Sequence, residues 1–239
     1  MSVLNGKSTV DEIRNRFDRD VERFSNLETG QQATMDAPVV LTRVAKTAAM
    51  HLRAGDSMLD LGCGAGNFTL RVQNETGPLH CHLVDLSQPM LDRALERVRA
   101  AGAMSVSTIQ ADLRDLEFEP ESFDAIVAGA VLHHLRDDAD WNQVFQKLHR
   151  WLKAGGRLYV SDLVWFDDPQ VQNLMWQQYG EYLVALRGEE YRETVFAYIE
   201  KEDSPRSLND QLQLLRQSGF SSFEVLHRNS VFAAYYGQK

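Results

Sequence analysis

Three glycines on alternate positions, Gly62, Gly64 and Gly66, cut off the apolar run Met58-Leu59-Asp60-Leu61. A helix-like pattern of Phe68, Thr69, Leu70 and Val72 starts directly behind them. Strand, tight glycine turn, helix is the order in which an α/β sheet builds a nucleotide pocket. Glycine is required where φ is positive, or where a ligand must touch the backbone with no side chain between. The turn therefore predicts a ligand lying against this stretch of chain.

The rest of the pattern agrees with an alternating α/β plan. Strands are predicted over 57–61, 80–85, 104–110, 123–128 and 156–162, with helices over 66–75, 88–101 and 138–153. Such alternation builds right-handed crossovers and a mostly parallel sheet covered on both faces. The run Lys153-Ala154-Gly155-Gly156 reads as the stop of the last of these helices. A helix over 207–218 and two closely spaced strands, 222–228 and 230–236, predict an antiparallel pair that closes the sheet. Ahead of the core, Thr9-Val10-Asp11-Glu12 reads as a capping box. One helix is predicted from there to Ser25-Asn26, and a second from Asp36 to about Leu52; both are placed to cover one mouth of the cleft. The aromatic-rich stretch 163–204 is too long for a plain βα loop. Its position at the C-terminal edge of the sheet predicts a helical lid over the ligand side, against the plainer readings of packing extension or dimer surface. The chain is thus expected to be one domain: an N-terminal helical cover (1–54), a cofactor-binding core (55–162), a lid insertion (163–204) and a closing helix and strand pair (205–239).

Composition narrows the partners. The 239 residues carry 25 basic against 34 acidic side chains, a net charge of −9, with no dense basic run. No nucleic-acid partner is expected from this balance. Apolar stretches stay well short of the roughly 18 residues a membrane helix needs. The opening MSVLNGKSTVDE has no apolar core of a secretory leader. Two cysteines, Cys63 and Cys81, are too few for a disulfide framework or a structural zinc site. A cytoplasmic monomer or homodimer acting on a small molecule is the expectation.

The acids around the turn discriminate further. A dinucleotide fingerprint spaces its glycines Gly-x-Gly-x-x-Gly for a pyrophosphate. Here the spacing is Gly62-x-Gly64-x-Gly66, and Asp60 ahead of it would repel a pyrophosphate but suits an ammonium and a sulfonium. With Asp60-x-Gly62-x-Gly64-x-Gly66, the strand-ending Asp85 in His82-Leu83-Val84-Asp85-Leu86 and the Asp112 of Gln110-Ala111-Asp112-Leu113, the chain closely resembles the class I S-adenosylmethionine-dependent methyltransferases. The resemblance covers about residues 37–163 and the closing strands. It implies a doubly wound, seven-stranded, mostly parallel sheet with an antiparallel C-terminal strand, the Rossmann-like methyltransferase fold. It also implies S-adenosylmethionine as cofactor. Asp60, Gly62, Cys63 and Gly64 would border its methionine part, Asp85 and Leu86 its ribose, Asp112 and Leu113 its adenine, and the Ala128 backbone the methionine moiety.

After the fourth strand, His133-His134-Leu135 resembles the segment found in small-molecule methyltransferases. In related sugar methyltransferases one such histidine and an acid after the fifth strand form the proposed base system. The positions here are His133, His134 and Asp162. The expected reaction moves a methyl group to an oxygen or nitrogen of a small metabolite. Motifs of amino-methylating DNA enzymes and a cytosine-attacking cysteine are missing. No metal is expected: Asp137-Asp138-Asp140 reads as the charged start of a helix, and the remaining histidines lack ligand spacing.

Two other readings stand beside this one. Phe17-Asp18-x-x-Val21 and the stretch Ser207 to Phe220 are distantly similar to carboxy-S-adenosylmethionine synthase, which modifies the cofactor; Arg187 or Arg192 would then hold the added carboxylate. A non-catalytic cofactor-binding module would keep the same three acids. The acceptor itself is left to the cavity: wide and apolar with Trp165 and Trp176 for an aromatic or isoprenoid acceptor, small and polar for an amino acid or sugar.

Overall fold

In a computed structural model, residues 6–26 and 31–239 are described. Residues 1–5, part of the opening read for a leader, lie outside them. Seven strands form one sheet in the order β3-β2-β1-β4-β5-β7-β6. They are β1 (Ser57–Leu61), β2 (His80–Asp85), β3 (Ser105–Gln110), β4 (Phe123–Gly129), β5 (Leu152–Leu163), β6 (Ser222–Asn229) and β7 (Phe232–Gln238). The first five run parallel, and β7 inserts antiparallel between β5 and β6. The strand order reverses between β1 and β4, so the crevice of the switch point opens at the C-terminal ends of these two strands.

Alternation along the strands splits the core in two. Leu59 and Leu61 of β1 join Ile126, Leu158 and Val160 in a cluster with Trp141, Phe145 and Leu148 of helix α6 (Asp138–Trp151) and Leu215 of helix α9 (Leu208–Gln217). Met58 faces the other way, with Val44 and Ala48 of helix α3 (Ala37–Ala49), Val72 of helix α4 (Asn67–Thr76) and Ala94 and Val98 of helix α5 (Gln88–Ala100). A third cluster, centred on Tyr179, Leu183, Ile199 and Phe232, holds helices α7 (Pro169–Arg187) and α8 (Glu189–Glu202) against the end of β5 and the start of β7.

Two predicted elements differ. The first helix is broken: α1 (Val10–Arg19) ends at Asp20, and a short α2 (Val21–Ser25) follows. Its start is the expected capping box, with the Glu12 carboxylate accepting from the Thr9 amide at 2.8 Å. Phe17 and Phe24 flank the break with ring centroids 5.7 Å apart. The second difference is at β5, which begins at Leu152 directly behind Trp151. The glycines read as a helix stop lie inside the strand, at its irregular entry beside Phe123. A Cβ on Gly156 would sit 2.9 Å from the Lys153 carbonyl oxygen and 3.1 Å from that of Asp124, so backbone proximity accounts for this glycine.

Candidate active site

The three glycines of the turn serve three different needs. Gly62 has φ +63°, and a Cβ there would lie 2.6 Å from Val131 Cγ2, so it is required by packing. Gly66 starts α4 at φ +82°, with Val98 and Ala94 closing over it at 3.2 and 3.3 Å. Gly64, at φ +51°, has nothing within 4 Å of its would-be Cβ. It lines a cavity, so its open side is a cradle that a side chain would fill.

Asp85 ties the turn to the next strand. Its Oδ2 accepts from the Gly64 amide at 2.8 Å, and its Oδ1 from the Ser87 amide at 2.9 Å. Burial pushes its pKa up, against three backbone amides that pull it down. Asp85 lines two cavities together with Leu86. A carboxylate so placed suits a pair of hydroxyls.

Asp60 is placed elsewhere than expected. It is 1% exposed and absent from the walls of the three cavities described below. Its Oδ2 accepts from the Thr69 hydroxyl at 2.6 Å. Burial raises its pKa to about 7, against the Thr69 hydrogen bonds. Asp60 therefore braces β1 against α4 beneath the turn. Ala128 also departs from expectation. It is fully buried in the sheet core, and Gly129 and Ala130, one and two positions on, border the cavity instead.

Three cavities adjoin along the C-terminal edge of the sheet. The first, of about 480 Å³, has walls from Phe17, Phe24, Phe68, Tyr179, Tyr198 and Phe232, with His133, Asp162 and Asp203 clustered in a polar lining that also includes Arg16, Asp20 and Arg23. The second, about 100 Å³, holds Gly62, Cys63, Gly64, Asp85 and His134 in its walls and shares Phe17, Phe24, Gln31, Phe68 and Ala130 with the first. The third, about 250 Å³, shares Gly62, Asp85, Leu86, Val131 and His134 with the second and adds Asp112 and Leu113. In the third cavity Asp112 is engaged by Arg114: Oδ1 accepts from the Arg114 amide and Nε, each at 2.9 Å, and Oδ2 from Nη2 at 2.6 Å. Burial would raise the Asp112 pKa, but these bonds hold it below its ordinary value.

His133 and His134 sit on a single 3-10 turn, Leu132–His134. Contrary to the divergence expected of neighbours in sequence, their rings meet edge to face, with centroids 4.3 Å apart. His133 Nδ1 pairs with Asp162 Oδ1, and the His133 amide donates to Asp162 Oδ2 at 3.1 Å. The Leu163 amide also donates to Asp162 Oδ1, at 2.7 Å. Asp162 thus has both oxygens committed and a fully buried side chain. Burial disfavours the His133 cation, but Asp162 and Asp203 outweigh it and raise the pKa to about 9. His134 is pushed well below its ordinary value by burial and by His133, and its ring meets Phe17 edge-on at 6.0 Å.

Sequence reasoning missed Asp203, which follows α8 and is 3% exposed. The Ser204 amide donates to the His133 carbonyl at 2.7 Å and brings the end of α8 to the histidine turn. No local motif marks that meeting. The aromatic side chains of the N-terminal helices were missed as wall residues too; their only signal was helical spacing. Arg187 and Arg192 are absent from the walls of the large cavity: Arg187 donates to Gln32 Oε1 at 2.8 Å, and Arg192 pairs with its neighbour Glu193. Trp165 and Trp176 are absent as well. They pack on each other at 5.4 Å, and Trp176 stacks on Phe196 at 4.3 Å.

Residues 58–156 match the family described as Methyltransferase domain. The chain is similar to a demethylmenaquinone methyltransferase of Listeria welshimeri, 27% identical over 199 residues, covering 80% of this chain and 81% of that one. It is also similar to a carboxy-S-adenosyl-L-methionine synthase of Shewanella frigidimarina, 28% identical over 185 residues, covering 74% of each. Among solved structures, the [4+2]-cyclase SpnF shares the fold with a TM-score of 0.66 at 16% identity, over 98% of this chain and 97% of that one. That likeness concerns architecture alone, since one fold hosts many reactions.

Proposed function

We propose, for a chain that belongs to the class I S-adenosylmethionine-dependent methyltransferases, an acceptor that is small, largely apolar, ring-bearing and methylated on oxygen. The observation that carries this reading is the large cavity with aromatic walls, which adjoins the cofactor cavities at Phe17, Phe24, Phe68 and Ala130 and gathers His133, Asp162 and Asp203 in its polar lining beside Arg16, Asp20 and Arg23. Its volume is in the range of small-molecule sites, and its walls suit a flat ring. The similarity to a protein named demethylmenaquinone methyltransferase favours the ring-bearing part of this reading.

The residues fit the cofactor. Gly64 offers bare backbone to the methionine part, and Asp85 offers its free lone pairs to the ribose. Leu86, Leu113 and Asp112 border the space for the adenine. When bound, S-adenosylmethionine supplies an activated methyl group on a sulfonium centre, so the protein's task is alignment. The aromatic walls hold the acceptor ring and exclude water. Asp162 accepts from His133 Nδ1–H and, with Asp203, holds the ring cationic up to about pH 9, so His133 reaches the acceptor space as an Nε2–H donor. Only after Nε2 releases that proton can an acceptor hydroxyl placed there donate to it, so turnover by this route should rise with pH towards 9. Asp162 is the positioning residue of the pair. His134, which lines the cofactor cavities, shapes the boundary between donor and acceptor.

The test is S-adenosylhomocysteine release across a panel of acceptors. Hydroxylated aromatic rings and hydroquinones should turn over, and amino acids and sugars should not; the reverse ranking overturns the proposal. The cofactor-modifying alternative needs an arginine from the α7–α8 segment in the cavity, and Arg187 and Arg192 are not in its walls. Mass spectrometry of the cofactor that co-purifies would show a carboxylated form if that alternative held.

A further inference from the structure

We infer that His133, His134 and Asp203 form a binding site for one divalent first-row transition-metal ion, zinc in the first instance, on the polar side of the acceptor cavity. One donor atom from each of the three residues lies within 4.8 Å of the other two. His133 Nε2 is 3.7 Å from Asp203 Oδ1, and His134 Nδ1 is 3.4 Å from the same oxygen. These are too long for hydrogen bonds of ordinary strength. They match the edges of a coordination shell: ligands about 2.1 Å from a tetrahedral zinc stand about 3.4 Å from each other.

Independent observations point the same way. Asp203 Oδ1 is buried and has no hydrogen-bond partner, although the Asp203 side chain is only 2% exposed. An unsatisfied buried carboxylate oxygen is costly unless something positive meets it. The partner that would orient a ligating His133 is in place as well. A histidine that ligates through one nitrogen commonly gives its other N–H to a carboxylate, and His133 gives Nδ1 to Asp162. Three protein ligands, two imidazoles and a carboxylate, leave a position open, as in catalytic rather than structural zinc sites. His133 and Asp203 line the large cavity and His134 the cofactor side, so the cluster stands where donor and acceptor spaces meet. Binding stands on the three ligand atoms alone. Its use rests on the acceptor reading above: an ion here would fix an oxygen-bearing acceptor in place of the His133 Nε2 contact. The acidic run Asp137-Asp138-Asp140, in contrast, serves its helix, with Asp137 Oδ1 accepting from the Asp140 amide at 2.9 Å.

The test uses the full chain, stripped with a chelator and titrated with Co²⁺ alone, whose visible bands report coordination. One equivalent should bind with the intense absorption of a low-coordinate site, and Zn²⁺ should abolish the band. Asp203→Asn, which conserves volume, and His134→Ala should each weaken Co²⁺ binding at least tenfold. Asp162→Asn should weaken it roughly 10–100-fold by loosening the hydrogen bond that orients His133. Circular dichroism and the denaturation midpoint identify any variant that has failed to fold. No stoichiometric band in the parent, or equal Co²⁺ affinity in a folded Asp203→Asn, overturns the inference. Acceptor turnover, measured separately with the stripped protein, decides the methylation reading on its own.

Discussion

Asp85 and Gly64, separated by 21 positions in the chain, are joined by a hydrogen bond of 2.8 Å from the glycine amide to Oδ2 of the carboxylate. An acid that lines two of the cavities thus also sets the glycine turn. Asp85→Ala removes this bond and the one from Ser87 at a single stroke. Each hydrogen bond to a charged group is worth about 1.5–3 kcal/mol. S-adenosylmethionine affinity should fall at least tenfold by calorimetry, and unchanged binding would remove Asp85 from the cofactor site.

Gly62→Ala and Gly64→Ala should fail in different ways. At Gly62 the new methyl group meets Val131 at 2.6 Å. Overpacking adds about 1–3 kcal/mol to the roughly 1–2 kcal/mol of left-handed strain. Denaturant titration should show that loss, with part of it recovered in the double variant with Val131→Ala. At Gly64 the space is open, so stability should fall by no more than the backbone strain. The methyl group enters the cradle instead, and cofactor binding should weaken. Equal stability losses at the two positions would contradict this assignment.

Asp60 should make stability fall with rising pH. Its pKa is about 7 in the folded chain against an ordinary 3.8, so the folded state holds a proton that the unfolded state has released. The stabilisation is complete below the ordinary value and is lost as pH climbs towards 7, after which it changes no further. A shift of this kind is worth on the order of a few kcal/mol. Denaturation midpoints of the parent and Asp60→Asn, measured from pH 4 to pH 8, should diverge across that interval. Parallel curves would mean that Asp60 is ionised throughout.

Arg16 and Glu202 should act as the fastening between α1 and the end of α8. Arg16 Nε lies 3.0 Å from each Glu202 oxygen and Nη2 lies 2.7 Å from Oε2, with Glu202 only 7% exposed. Arg16 also lies over the rings of Phe17 and Tyr198, two walls of the large cavity. A double-mutant cycle of Arg16→Ala and Glu202→Gln should give a coupling of roughly 1–3 kcal/mol. Arg16→Ala should raise the acceptor KM more than it weakens S-adenosylmethionine binding. Additive single effects would show that the two helices are held by their apolar faces instead.

The local parts of this protein are legible in its sequence. The glycine turn, the strand-ending Asp85, the capping box at Thr9 and the alternation of strand and helix depend on φ preferences, hydrogen-bond capacity and apolar period, which act over a few residues. The turn and the acid that sets it could be read for that reason. Tertiary structure decided what long-range packing controls. It turned Asp60 inward to Thr69, set Gly129 and Ala130 rather than Ala128 at the cavity wall, and placed Phe17, Phe24, Tyr179 and Tyr198 around one space. It also carried Asp203 from the end of α8 to His133 and His134. A carboxylate 70 residues from its partner leaves no spacing to recognise; only the folding of α7 and α8 against β5 and β7 brings the two together.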